Sequence, residues 1–153
     1  MKNVVATPLE ELEPFVGEWS VEARHVALPN EVIRGRSVFE WWADRAFLIH
    51  RSNFDHPDFP DSISVIGATR PGGELAQHYF DTRGVYRVYD MTFGRGVWTL
   101  ARTAVSATDF DQRLKARFSA DGNTITGDFE ATEPGAHEMR HDLSVTYTRV
   151  ARR

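Results

Sequence analysis

The chain has no cysteine. That excludes disulfides, thiolate metal sites and a cysteine nucleophile, and it fits a reducing compartment. No apolar run approaches the ~18 residues that a membrane helix needs. The first eight residues lack the apolar core of a signal peptide. Charge of one sign is also missing. Lys plus Arg is 18 and Asp plus Glu is 22, for a net charge of −4. Neither nucleic acid nor an anionic membrane is expected as a partner. Nucleophile elbow, phosphate loop and dinucleotide fingerprint are all absent. His137 and His141 stand four apart, a helical spacing that on a strand is too long to chelate one ion. No metal is expected. These absences leave one cytoplasmic domain over residues 1–153.

Helices are scarce too. Residues 8–15 form the only helical pattern, with Leu9, Leu12 and Phe15 at helical spacing, Pro8 in the first turn and Thr7 as cap. Everything after it reads as strands and turns. Strands are expected at 18–27, 34–42, 46–53, 62–69, 75–82, 85–93, 97–104, 112–119, 124–131 and 139–150. The first alternates cleanly: Trp19, Val21, Ala23 and His25 share one face, with Glu18, Ser20, Glu22 and Arg24 on the other. The last sets Leu143, Val145 and Tyr147 against Asp142, Ser144 and Thr146. Asp121-Gly122 and Pro71-Gly72-Gly73 mark hairpin turns. The stretch 54–61, with two prolines and three aspartates, reads as a mouth loop or lid. Helix-length inserts between strands are missing, so a parallel sheet is not expected. The pattern predicts an all-β fold: a closed antiparallel up-and-down barrel of about ten strands, with the short N-terminal helix plugging one end.

Particular motifs carry a family resemblance. Gly17-Glu18-Trp19 opens the first strand and Arg149 ends the last. Between them lie Phe39-Glu40-Trp41-Trp42, Phe47-Leu48-Ile49, Ile66-Gly67 and Tyr79-Phe80-Asp81 with Gly84. In order and spacing these resemble the calycin superfamily, and within it the bacterial DUF1579-type lipocalin-like proteins. The resemblance implies that Trp19 lies across the closed end and that Arg149 covers it. It specifies no reaction. The nitrobindin branch carries a longer glycine-rich motif ending in Tyr-Pro after its Trp; here Ser20-Val21-Glu22-Ala23-Arg24 stands in that place.

A ten-stranded barrel encloses more room than its side chains fill, so the first functional reading is binding of a small apolar or amphipathic molecule. Strand parity nominates His25, Trp41, Arg51, His78, Arg87, Tyr89, Trp98 and Tyr147 as ligand contacts. Arg51, or Arg87 with Tyr89, is suited to a ligand carboxylate through a planar two-donor fork, as in fatty-acid-binding barrels. Arg102 follows Trp98 and Leu100 by the same parity. The second reading is a small barrel enzyme of cyclase, isomerase or dehydratase type, with Asp81, Glu40 or His25 as acid–base residue. The third is haem binding through His25 or His78. A fourth is a filled barrel that acts through an exterior apolar patch, with a homodimer compatible with any of them.

Overall fold

The computed structural model describes residues 8–151. The expected Thr7 cap lies outside them. A 3₁₀ helix over Leu9–Phe15 precedes ten strands. These are β1 (Gly17–His25), β2 (Ile33–Trp42), β3 (Phe47–Phe54), β4 (Ser62–Ala68) and β5 (Leu75–Asp81). Then come β6 (Tyr86–Gly94), β7 (Val97–Arg102), β8 (Gln112–Phe118), β9 (Thr124–Ala131) and β10 (Arg140–Arg149). Each strand pairs antiparallel with its sequence neighbours, and β1 also pairs with β10, so the sheet closes on itself. The closing seam sets Trp19 opposite Arg149 and His25 opposite Leu143. Closure satisfies every ladder and leaves no free edge.

The helix is the plug that the sequence predicts, wound more tightly than an α-helix. Pro14 lies inside it and has no N–H to donate, and the turns close i to i+3, from Glu11 N–H to Pro8 O and from Val16 N–H to Glu13 O. Leu12 and Phe15 are fully buried. The Phe15 ring lies 4.9–5.2 Å from those of Phe39, Phe93, Trp98 and Phe118, forming an aromatic cluster that fills one end of the barrel.

Trp19 crosses that end and donates Nε1–H to Phe15 O at 2.9 Å. The Arg149 guanidinium lies 4.2 Å over its ring. The same guanidinium donates to Val16 O at 2.8 Å, Pro14 O at 2.7 Å and Gly122 O at 3.2 Å. Arg149 thus ties the helix, the first strand and the β8–β9 turn into one lid. Gly17 makes room for it. Its φ is +135°, and a Cβ there would lie 2.8 Å from Arg149 Nη1.

On β3 the inward residues are Leu48, His50 and Ser52, while Phe47 and Arg51 face out. On β5 they are Leu75, Gln77 and Tyr79, while His78 and Phe80 face out. Both outcomes correct the expected parity. These strands carry apolar side chains on both faces, so alternation alone leaves their polarity open, and the closed ladder decides it. Outside, Arg51 pairs with Glu40 at 2.9 Å, and Trp42 stacks on Phe47.

Candidate functional site

Beyond the aromatic plug the barrel is hollow. The cavity has a volume of ≈ 1040 Å³ and opens at the end opposite the helix. Its mouth is formed by loops: Val26 to Leu28, Asp58 to Pro60, Arg83, Thr108 with Phe110, and Glu133 with Pro134. The proline- and aspartate-rich stretch 54–61 therefore contributes to the mouth, as its composition predicts. Phe59 lies edge-on to His25, Phe54 and His56.

His25, Arg87, Tyr89, Trp98 and Tyr147 line the cavity. His25 stands at the mouth with both ring nitrogens engaged. Nδ1 accepts the Ala27 N–H at 3.0 Å, and Nε2 lies 3.2 Å from Asp142. Trp98 and Tyr147 lie deeper, ring centroids 6.0 Å apart. Trp98 Nε1 is buried without a hydrogen-bond partner among the described residues. Burial raises the Tyr147 phenol pKa, so the hydroxyl stays protonated.

Three nominated residues are elsewhere. Arg51 is on the outer wall with Glu40. His78 is outside too, its Nδ1 2.9 Å from the Tyr86 hydroxyl. Trp41 packs on the plug, donates to Glu13 at 2.5 Å and carries Arg45 over its ring. The histidines expected to hold haem do not suit it, since His78 is outside and His25 has both nitrogens committed.

Arg87 is the notable cation. Its guanidinium lies 5.1 Å over the Phe110 ring, next to Tyr89, whose hydroxyl donates to Gln112 Oε1 at 2.8 Å. Among the described residues lining the cavity it is the arginine without a carboxylate partner. Arg102 is committed to Asp109 at 2.5 Å and to Phe110 O at 2.7 Å. Hydrogen bonds from Arg102 hold the Asp109 carboxyl well below the ordinary carboxylate range, against the opposing effect of burial. Arg83 is committed to Asp81 at 2.7 Å.

Asp81 is a structural acid. Burial pushes its carboxyl up, but hydrogen bonds from Arg83 and Tyr79 outweigh this and bring its pKa down to about 2. A general base of that strength is a poor one near neutrality. Glu40 sits outside with Arg51.

The sequence nominations omit the polar wall itself. His50 is 9% exposed and stacks on Phe39 at 3.8 Å. Its Nε2 lies 3.1 Å from both Ser37 Oγ and Ser52 Oγ, which are 2.7 Å from each other. This triangle is best satisfied when one serine donates to the other and the second donates to Nε2, with the ring proton on Nδ1. Burial lowers the His50 pKa to about 3, so the ring is neutral. Ser64, Gln77 and Tyr79 continue the wall. Their signal in the sequence is faint: small or amide side chains at alternate strand positions, where a filled core calls for Val or Leu.

No protein-family model matches the chain, and no curated protein matches it. Among solved structures, one titled "Crystal Structure of Rv2717c from M. tuberculosis" is similar in fold. The TM-score is 0.66 and the identity 15%, over 95% of this chain and 99% of that one.

Proposed function

We propose that the barrel binds a small amphipathic molecule, with its apolar body against Trp98, Leu100, Phe129 and Val145 and an anionic group at Arg87. The observation that carries this is an arginine left without a carboxylate, among the described residues, in a pocket that also offers an apolar wall. A guanidinium so placed gains two charge-assisted hydrogen bonds from a carboxylate or sulfonate that water otherwise supplies. The volume suits a drug-sized ligand. The Gly17-Trp19-Arg149 closure supports grouping the chain with DUF1579-type lipocalin-like proteins.

The test is a fluorescence titration with 8-anilinonaphthalene-1-sulfonate, an aromatic anion. Saturable one-to-one binding is expected, weakened about tenfold in Arg87→Ala and lost in the cavity-filling variant Val145→Phe. Equal binding by Val145→Phe places the probe on the outer surface and refutes the proposal.

A further inference from the structure

The cavity has two unlike walls. Across β3 to β6 the inward side chains include His50, Ser52, Ser64, Gln77, Tyr79 and Tyr89. Across β7 to β10 and β1 the deep ones are Trp98, Leu100, Phe129, Val145 and Ala23, with the ring of Tyr147, and the polar His25, Arg140, His141 and Asp142 are kept to the ends of β1 and β10 at the mouth. The polar groups deep on that side are Gln112, engaged by Tyr89, and the Trp98 Nε1–H.

The polar wall runs around the barrel and not along it. His50 is in register with Ser64, Ser64 with Tyr79, and Tyr79 with Arg87, while Gln77 stands beside this row on the same face of β5, in register with Tyr89. At the usual interstrand spacing this row extends about 14 Å. Much of its hydrogen-bonding capacity is unused. Gln77 is 5% exposed, and its Oε1 is buried without a partner among the described residues. The Ser64 hydroxyl and His50 Nδ1 make no hydrogen bond among the described residues but, unlike Gln77 Oε1, are not sealed off from the cavity. Buried polar groups left unpaired cost stability, and they are normally satisfied by protein, water or ligand.

The chemistry of the row is neutral until it reaches Arg87. It offers hydroxyls, an amide and an uncharged imidazole. Such groups match neutral oxygen functions, since a second ionic group there would be buried without a counter-charge. A fatty acid satisfies one head-group site and leaves this row against methylenes. A rigid ring system with oxygens spaced along one side meets several of its members at once.

Resting on the ligand-binding role proposed above, we infer that the ligand is a flat ring molecule oxygenated along one edge. Its hydroxyl or carbonyl groups face His50, Ser64 and Gln77, and its bare edge faces Trp98 and Leu100.

Calorimetric titration with three probes tests this: dodecanoate, flavone and the trihydroxyflavone apigenin. Apigenin is expected to bind at least tenfold tighter than flavone, although it is the more polar of the two and loses more hydration on entering the barrel. In Ser64→Ala/Gln77→Leu that preference is expected to vanish. Flavone binding as well as apigenin, or dodecanoate binding tightest, overturns the inference and leaves the ligand-binding role standing. Absence of saturable binding by all three, and by the anilinonaphthalene sulfonate, overturns both.

Discussion

Acid should weaken this fold through one residue more than any other. His50 is buried against Phe39 with its Nε2 committed to two serines, and burial lowers its pKa from 6.5 to about 3. The unfolded chain takes up the proton near pH 6.5, while the folded chain resists it. The group's contribution is therefore complete above pH 6.5 and is lost as pH falls toward 3. Between about pH 7.5 and about pH 4.5 the loss from this residue alone comes to roughly 2–3 kcal/mol. His50→Gln keeps a polar group near Ser37 and Ser52 but does not titrate. Its packing defect is the same at both pH values and cancels in the difference, as do the shared carboxylates and the other histidines. Urea unfolding followed by tryptophan emission, run on both proteins at both pH values, gives the four free energies needed. The wild type should lose roughly 2–3 kcal/mol more than the variant on acidification. Equal losses would mean that His50 is solvated or charged in the fold, and the neutral polar wall would go with it.

Arg149→Met removes three carbonyl hydrogen bonds and the contact over Trp19. It should cost about 2–4 kcal/mol in urea unfolding, with Gly17→Ala destabilising for the same reason; near-zero costs would deny the closing role. Arg102→Met strands the buried Asp109 carboxylate and should cost about 3–5 kcal/mol, most of it recovered in Arg102→Met/Asp109→Leu. A double variant no more stable than the single one contradicts the pairing. Arg51→Ala and His78→Ala lie outside the barrel and should leave anilinonaphthalene sulfonate affinity within about twofold. A larger change in that titration would put either residue back in the site.

The barrel was legible because its two joining strands state their polarity in full. Trp19, Val21 and Ala23 on β1 and Val145 and Tyr147 on β10 are buried, with charged or hydroxyl neighbours between them. The helix signal at residues 9–15 was equally plain, and only its tightness came from Pro14. The site was less legible for a reason of chemistry. A cavity wall need not be apolar, so Ser52, Ser64 and Gln77 look like solvent-facing residues in the sequence. On β3, β4 and β5 the outward Phe47, Ile63 and Phe80 look like core. Pattern matching therefore drew Arg51 and His78 inward and passed over Ser64. Arg87 and Tyr89 were found because the outward Asp90 and Thr92 fix the polarity of β6, in spite of the outward Tyr86 and Val88.

Native mass spectrometry of freshly purified protein addresses the hollow barrel most directly. The account predicts a single small adduct at one-to-one stoichiometry, released on denaturation and missing from Val145→Phe. A bare polypeptide mass in the wild type, or an adduct that persists in Val145→Phe, would contradict it.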